Sequence, residues 1–368
     1  MVHKLVARLT LALFVLFPLA VHAQASEFNN HYRDFSVMTR NMDAGSDFLY
    51  ILQALQTDPG NVTALLQATT KTYLEMHMSN IPARADGIAA EIQQNLPLLV
   101  GLQEVTLLRT GANNQPATTV LDDSLASLMA SLDKRGLHYA VLAQQQNADI
   151  TVPALDPTLQ NLIDVRLTDS DVVLVRTDVT VADFKLGSVT KQHFANFLIL
   201  PVAGTGIDIT RGWIAVDARF RGKDFRFVTT HLETFSPDYQ QAQTLELISG
   251  ALNTTLPVIL AGDLNSDALH PSFANGPAYG ILTADGFTDV WTALRPTEAG
   301  ATWPLFPEDV PLGGAPTPQR IDLVLVKNGG IQPTAIQETG TTPIVTTPEF
   351  TLYASDHAGV VAGFNLLP

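Results

Sequence analysis

Alternation of apolar and polar residues and helical periodicity divide the start of the chain into recognisable elements. Apolar residues alternate with polar ones over 34–40, which predicts a strand. From about 48 to 95 apolar residues recur at helical spacing, with interruptions at Pro59-Gly60 and Ile81-Pro82. The pattern therefore predicts one strand followed by a helical region in several pieces.

The rest of the chain mixes short apolar runs with two amphipathic segments. The segments predict helices over 121–135 and from Ser236 to about 252, with Ser236 as N-cap. Residues 144–168, which contain Pro153 and Pro157, are expected to form a long loop. The apolar runs predict strands over 98–102, 138–143, 171–176, 214–220, 225–230, 257–261, 321–326 and 360–364.

These elements favour one α/β domain in which two sheets pack face to face with helices outside. The turn from Arg221 to Asp224 joins two of the strands as an antiparallel hairpin. No linker and no internal repeat divides the chain. We therefore expect a single domain over about 30–368, with a helical insert at about 48–81.

The N-terminal residues have the features of a secretory signal peptide. Lys4 and Arg8 precede an apolar run from Leu9 to Val21, and small residues follow up to Ala25. A membrane anchor is the alternative, but the run is short for a bilayer. We expect residues 1–25 to be removed near Ala25 and the protein to be secreted or periplasmic. The chain has no cysteine, so its core alone must stabilise it there.

Composition and charge narrow the range of partners. The chain is 46% hydrophobic and 15% charged, and 36 acidic residues against 21 Lys and Arg give a net charge of −15. A field of this sign repels nucleic acid and anionic membranes unless a local basic patch overrides it. No run of Lys and Arg supplies such a patch. A nucleic-acid partner is therefore disfavoured but not excluded, and the protein is expected to be a monomer without a transmembrane segment.

Polar residues follow or precede several of the predicted strands, where a rigid scaffold holds reactive groups in solvent. Carboxylate and amide oxygens dominate this set, which suits Mg²⁺, Mn²⁺ or Ca²⁺ better than zinc or copper. A cation bound there would hold a phosphate oxygen and offset charge that develops on phosphorus. The residues are Asn41, Asp43, Glu104, His231, Asp263, Asn265, Asp322, Asp356 and His357.

The residue types also suggest individual roles. His357 is a candidate general base or transition-state stabiliser, and His231 a hydrogen-bond donor to phosphoryl oxygens. Asp263 and Asn265 are candidates for orienting an attacking water. Arg211 is the best candidate for a contact with substrate phosphate. Each residue also has an ordinary structural explanation, such as a turn or a surface ion pair, and only their joint occurrence favours catalysis.

Six short motifs, in one order along the chain, give a more specific resemblance. The chain resembles the endonuclease/exonuclease/phosphatase superfamily, of the DNase-I-like fold, in a secreted bacterial-type form. Coverage runs from about Asp34 to the C-terminus. The motifs are Thr39-Arg40-Asn41-Met42-Asp43, Leu102-Gln103-Glu104-Val105, Thr229-Thr230-His231-Leu232, Gly262-Asp263-Leu264-Asn265, Arg320-Ile321-Asp322-Leu323 and Ser355-Asp356-His357.

The resemblance implies a four-layered αββα sandwich of two packed mixed sheets flanked by helices. It also implies roles for the motif residues around Mg²⁺, with Mn²⁺ or Ca²⁺ as alternatives. By this resemblance, Glu104 is the central metal ligand, assisted by Asn41 and Asp43, and Asp356 is a second metal-side carboxylate or a support. Asp263 positions or activates the water beside Asn265, and His231 binds the phosphate. His357 acts on the attacking or leaving oxygen, and Asp322 orients its ring.

Two features depart from the family pattern. The segment between Asp43 and Glu104 contains the helical insert. Asp171 stands where family members often have an asparagine, and a carboxylate there would repel a phosphate unless a metal lies between them.

The leading hypothesis is a secreted metal-dependent phosphatase or phosphodiesterase acting on a small or lipid-derived phosphate ester. A secreted endonuclease or exonuclease with the same centre is the alternative. A non-catalytic binding protein on the same fold is a third hypothesis, because fold does not determine function.

Overall fold

A computed structural model of the protein describes residues 34–202, 205–305, 317–347 and 351–367. The predicted signal peptide over 1–25 lies outside these residues and stays a prediction. None of the helices in the described ranges is long and apolar enough to cross a membrane.

The described residues form seventeen strands and seven helices. In chain order these are β1 Phe35–Asn41, α1 Leu49–Thr57, α2 Val62–Met78, α3 Ile81–Asn95, β2 Leu99–Ala112, β3 Thr119–Asp123, α4 Ser124–Lys134, β4 Tyr139–Leu155, β5 Leu162–Arg176, β6 Phe184–His193, β7 Leu198–Val202, β8 Thr205–Ile209, β9 Gly212–Phe220, β10 Lys223–Thr230, α5 Pro237–Ser249, β11 Val258–Asp263, α6 Ala278–Ala284, β12 Thr288–Asp289, α7 Val290–Leu294, β13 Asp322–Lys327, β14 Ile331–Thr339, β15 Val345–Thr346, β16 Thr351–Leu352 and β17 Gly359–Leu366.

Two mixed sheets contain most of these strands. The first has the order β14-β17-β1-β2-β5-β4, with β3 paired to β2, and only β1 and β2 run parallel in it. The second has the order β12-β13-β11-β10-β9-β6, and only β10 and β11 run parallel. Two small hairpins, β7-β8 and β15-β16, lie apart from both sheets.

The two sheets pack face to face, and helices cover their outer faces. Phe35 of the first sheet and Phe225 of the second stack in the core between them, with ring centroids 4.9 Å apart. Apolar residues of α3 and α4 are buried against the outer face of the first sheet. Those of α5 and α6 are buried against the second. The predicted four-layered arrangement, with two packed sheets between outer layers of helices, is therefore confirmed.

The sandwich explains why central strands are buried along their whole length. All seven residues of β1 are buried, because one face meets the second sheet and the other meets helices. Gln103 links the sheets by accepting a hydrogen bond from the Thr39 hydroxyl at 3.2 Å and donating one to Thr229 at 3.0 Å. A side chain at Gly101 would collide with the Thr229 hydroxyl, so glycine permits this close approach.

The helical region is three helices, as its interruptions predict. Pro59-Gly60 lies between α1 and α2. Ile81-Pro82, predicted as a second interruption, begins α3 instead, with Asn80 as N-cap. Proline fits the first turn of a helix because the N–H it lacks has no partner there.

The predicted loop over 144–168 is wrong. β4 and β5 pair across most of this segment and form a long antiparallel ribbon, with the chain reversing near Pro157. Pro153 lies inside β4, which is the edge strand of its sheet, and an edge strand tolerates a residue without an N–H. The predicted helix over 121–135 is partly wrong, because its first residues belong to β3 and α4 begins at Ser124.

Candidate metal-dependent active site

The ends of several strands converge at one edge of the two sheets and bring the predicted site residues together. β1 ends at Asn41, and β11 ends at Asp263. His231 directly follows β10 and forms an isolated bridge with Asp263. Asp322 begins β13 opposite Asp263, and His357 lies just before β17. Residues far apart in sequence therefore share one site.

Glu104 reaches the site through a bulge in β2. The pairing of β2 with β5 shifts register between Leu102 and Val105, and Glu104 adopts a left-handed φ of 53°. Such a bulge redirects side chains, and a non-glycine residue in this conformation carries strain that the surrounding structure must offset. Oε2 of Glu104 accepts a hydrogen bond from the Ala44 N–H at 2.8 Å.

Asn41 joins the carboxylates of Glu104 and Asp263. Its Nδ2 lies 3.0 Å from Oε1 of Glu104 and 3.1 Å from Oδ2 of Asp263, and donates to both. Its Oδ1 accepts from the N–H of Asp43 at 2.8 Å. The amide therefore fixes the separation of two acidic groups, one from each sheet.

His357 pairs with Asp322 as the resemblance implies. Its Nδ1 lies 2.8 Å from Oδ2 of Asp322, and both side chains are buried. Burial alone lowers the pKa of His357, but Asp322, Asp356 and Asp263 outweigh it and hold the pKa well above 6.5. The imidazole is therefore charged near neutral pH and suited to donate a proton.

His231 has the opposite charge state and a defined tautomer. Burial, followed by the positive charge of Arg211, lowers its pKa well below 6.5. Nδ1 lies 2.8 Å from a guanidinium nitrogen of Arg211, which is only a donor, so Nδ1 accepts and Nε2 carries the proton. Nε2 is 3.5 Å from Oδ2 of Asp263 and 4.0 Å from Oε1 of Glu104. This N–H therefore faces the site.

Asp263 and Asn265 occupy a tight turn after β11. Asn265 has a φ of 46°, and its N–H donates to Oδ1 of Asp263 at 2.9 Å. Its side-chain amide donates to the carbonyl of Leu232 at 3.0 Å. Burial and then the nearby Asp322 raise the pKa of Asp263 to about 6. Asp263 is thus mostly ionised at neutral pH and suited to orient a water molecule.

The carboxylates at this edge fit a divalent cation. Burial, then the charges of Asp356 and Asp43, raises the pKa of Glu104 to about 7. Such crowding of acidic oxygens is relieved when a cation binds, and carboxylate and amide oxygens are the ligands that Mg²⁺ prefers. Glu104, Asn41 and Asp356 are residues that could hold it.

Asp43 is held in place by an arginine and by a backbone N–H. Its Oδ2 lies 2.6 Å from a guanidinium nitrogen of Arg84, and its Oδ1 accepts from the N–H of Gly45 at 2.6 Å. Both oxygens already have protein partners. Its role as a direct ligand stays a prediction, and the contacts that it does make support the loop after β1.

A second acidic cluster has a different character. Single ligand atoms of Asp263, Asp322 and His357 all lie within 4.8 Å of one another. His357 uses Nδ1 for its hydrogen bond with Asp322, and its raised pKa favours the charged form, which has no lone pair for a metal. The cluster could therefore act in proton transfer when His357 is protonated, or hold a cation when it is not.

Two residues that support the site have no predicted role in the sequence. Arg84 of α3 donates to the carbonyls of Met42 at 2.7 Å and Ala354 at 3.3 Å, which ties together two loops of the site. Trp303 donates from Nε1 to Oδ2 of Asp356 at 3.0 Å. Neither residue belongs to one of the six sequence motifs, and Arg84 lies on a helix away from all of them in the sequence.

Asp171 is fully buried and is not among the residues that line the cavity. It lies close enough to Asp169, Arg211 and Asp263 for their charges to affect its pKa. Burial, then the charge of Asp169, raises its pKa well above 3.8. A neutral carboxyl repels a bound phosphate less than a carboxylate does, which weakens the objection raised by its sequence position.

Comparison with models of protein families identifies the family of this chain. A model described as the Endonuclease/Exonuclease/phosphatase family matches residues 76–357. The chain belongs to this family. The family comprises hydrolases that act on phosphoesters. No curated protein sequence gives a significant match.

Solved structures of the same fold include an endonuclease/exonuclease/phosphatase family protein from Leptotrichia buccalis C-1013-b, with 15% identity, a TM-score of 0.54, and 90% of this chain and 100% of that chain covered. D. rerio TDP2 complexed with a single-strand DNA product has 17% identity, a TM-score of 0.52 and coverages of 90% and 98%. A Bacteroides thetaiotaomicron mannosyl-6-phosphatase has 16% identity, a TM-score of 0.50 and coverages of 90% and 99%. At these identities the likeness concerns the fold.

Proposed function

We propose that this family member is a secreted, Mg²⁺-dependent phosphoester hydrolase, either a phosphatase or a phosphodiesterase. The observation that carries the proposal is the arrangement around Asn41. Its amide holds Glu104 and Asp263 together, and the charged His357–Asp322 pair lies beside Asp263, with Nδ1 of His357 3.9 Å from Oδ2 of Asp263. This arrangement supports the proposal because candidate metal ligands, a carboxylate that could orient water and a candidate proton donor lie close together.

The charge of each group at the site indicates its role in the proposed reaction. A bound Mg²⁺ would polarise a phosphoryl oxygen and offset its negative charge. Arg211 and the Nε2–H of His231 supply a positive charge and a donor for the same phosphoryl group. Asp263 accepts a proton from the attacking water, and His357 in its charged form donates to the leaving oxygen. Asp322 keeps the ring of His357 oriented.

The acidic character of the protein favours a small or lipid-derived phosphate ester over nucleic acid. A net charge of −15 gives nucleic acid little electrostatic attraction. The similarity to TDP2 and to the mannosyl-6-phosphatase concerns fold, so it does not choose between a nuclease and a phosphatase. Direct comparison of substrates makes that choice.

Hydrolysis of model esters tests the proposal. We expect p-nitrophenyl phosphate or bis(p-nitrophenyl) phosphate to be cleaved when Mg²⁺ is added, and the rate to fall by at least a hundredfold in His357→Ala. Leu245→Ala, an exposed position on α5, is the matched control and should keep the rate. Equal rates in all three proteins would refute the proposal. Cleavage of plasmid DNA in preference to both esters would establish the nuclease instead.

Secretion is tested separately with the full chain. Expression in a bacterial host followed by fractionation should place a shortened protein in the periplasm or medium, and its N-terminal sequence should begin near Ser26. A protein that keeps its first residues and stays with the cytoplasm would contradict this part of the proposal.

A further inference from the structure

The catalytic residues line only one end of a much larger cavity. The cavity has a volume of about 940 Å³, which is within the size range of small-molecule sites. Glu104, His231, Asp263 and His357 line its catalytic end. The other end is formed by α1, α2, the β4-β5 ribbon and the β7-β8 hairpin, and its side chains are mainly apolar.

Helix α1 forms one wall of this apolar chamber. Its side chains that line the cavity are all aliphatic, yet no residue of α1 is buried. A helix whose apolar face packed on the core would bury that face. The apolar face of α1 is instead turned towards the open space of the chamber. The lining residues of α1 are Leu49, Ile51, Leu52 and Leu55.

The β4-β5 ribbon forms the opposite wall. Ala148, Ile150 and Val152 alternate along β4 and line the cavity, whereas Asp149 between them pairs with Arg166 on the other face. Val165 and Leu167 of β5 continue the apolar surface. Leu200, Ile207 and Ile209 of the β7-β8 hairpin complete it.

The insert is attached to this ribbon by specific hydrogen bonds. The Thr69 hydroxyl of α2 donates to the carbonyl of Pro153 at 2.6 Å. The Thr70 hydroxyl accepts from the N–H of Leu155 at 2.9 Å. Two parts of the chamber lining, α2 and β4, are therefore joined directly. The family match begins only at residue 76, so α1 and most of α2 lie outside it.

The charges of the cavity give a bound molecule an orientation. The basic side chains among its described lining residues are Arg84, Arg211, His231 and His357, and each contacts a residue of the catalytic end. The charged residues nearer α1, Asp47 and Glu75, are acidic and repel a phosphate. The carboxylates of the catalytic end also repel a phosphate until a cation offsets their charge. With Mg²⁺ bound among them, a phosphate ester places its anionic group at the catalytic end and its apolar group in the chamber.

We propose that the chamber binds an alkyl or acyl chain, so that the substrate is a phosphate ester of a lipid-like alcohol. This inference rests on the proposed function for the identity of the reacting group. It assigns to the helical insert the task of binding the chain. Each methylene that leaves water should raise affinity about twofold to fourfold until the chamber is full.

A chain-length series tests the chamber without relying on turnover. Binding of butyl, hexyl, octyl and decyl phosphate is measured by calorimetry in the presence of Mg²⁺, below the concentrations at which they form micelles. The His357→Ala protein is used so that the ligands are not consumed. We expect affinity to increase at each step. Equal affinities across the series, or tighter binding of a short single-stranded oligonucleotide than of decyl phosphate, would overturn the proposal.

Introducing a charge at the chamber wall tests whether the alkyl chain binds there. Leu52→Asp, on the chamber wall, should weaken decyl phosphate binding at least tenfold and leave butyl phosphate binding nearly unchanged. Leu245→Asp, the same change at an exposed position outside the cavity, is the control. Ile150→Asp, on the opposite wall, gives a second test if Leu52→Asp unfolds at a lower temperature. Decyl phosphate affinity that is unchanged in both wall variants would also overturn the proposal.

Measuring ester hydrolysis by the wild type, in addition to binding, tests the chamber and the hydrolase activity independently. Chain-length-dependent binding without hydrolysis of any ester by the wild type would refute the hydrolase and retain the chamber. Hydrolysis with kcat/KM independent of chain length would retain the hydrolase and refute the chamber.

Discussion

Nδ1 of His357 lies 2.8 Å from Oδ2 of Asp322, although the two residues are 35 positions apart. The carboxylate fixes the ring and stabilises its charged form. Asp322→Asn should therefore lower kcat by about a hundredfold to ten-thousandfold, with little change in KM, because orientation and charge of the proton donor matter most in the transition state. Steady-state kinetics over a pH series measure this.

The pH series shows whether Asp322 positions His357 for proton transfer or only stabilises the fold. Activity should fall at high pH as His357 loses its proton, and this alkaline limb should move to lower pH in Asp322→Asn, since a neutral amide no longer favours the imidazolium. Asp224→Asn, on the exposed hairpin turn, serves as the control. A variant with wild-type kcat and an unshifted profile would contradict the role of Asp322.

Glu104 determines metal dependence if it is the central ligand. Glu104→Gln keeps the size of the side chain but removes its charge, so about tenfold to a hundredfold more Mg²⁺ should be needed for half-maximal activity. Titration of activity with Mg²⁺ after treatment with a chelator measures this. Glu298→Gln, at an exposed position, should follow the wild-type curve. Identical metal titrations for Glu104→Gln and the wild type would exclude Glu104 as a ligand.

Arg211 contacts His231 and, under the proposed function, also binds the substrate phosphate. Arg211→Gln removes a positive charge and the rigid donor that holds Nδ1 of His231, so kcat/KM should fall by about tenfold or more. Arg219→Gln, an exposed residue paired with Asp224, is the matched control. Kinetics that do not distinguish the two variants would mean that Arg211 contributes only to folding.

Asp171 gives a prediction about stability and pH. Burial raises its pKa well above 3.8, so the folded state keeps a proton that the unfolded state loses as the pH rises above that value. The free energy of unfolding of the wild type should therefore decrease by about 1 kcal/mol per pH unit relative to Asp171→Asn, between the ordinary pKa and the raised one.

Chemical denaturation of both proteins between about pH 4 and about pH 8 checks this, because the range begins near the ordinary pKa of an aspartate carboxyl group. Asp164→Asn, on the same strand but partly exposed, should show little pH-dependent difference from the wild type. Parallel stability curves for Asp171→Asn and the wild type would show that the buried carboxyl does not retain its proton.

The central strands could be predicted because apolar residues recur along them, alternating with polar ones in β1 and forming a continuous run in β11. Both strands are buried along their whole length, and each ends at a polar motif. Peripheral strands have no such signal. β6 is exposed over nearly its whole length, and β4 alternates around a proline, so neither was predicted in full.

The sequence by itself determined the order of the motifs, the acidic balance and the residue types of the site, because these are local properties of the chain. Only the tertiary structure decided which of those residues meet. The His357–Asp322 pair, the tautomer of His231 and the support of Asp43 by Arg84 all depend on strand register and on a helix that packs from another part of the chain. The apolar chamber is also a tertiary property, since its walls come from segments whose apolar residues, taken separately, resemble ordinary core.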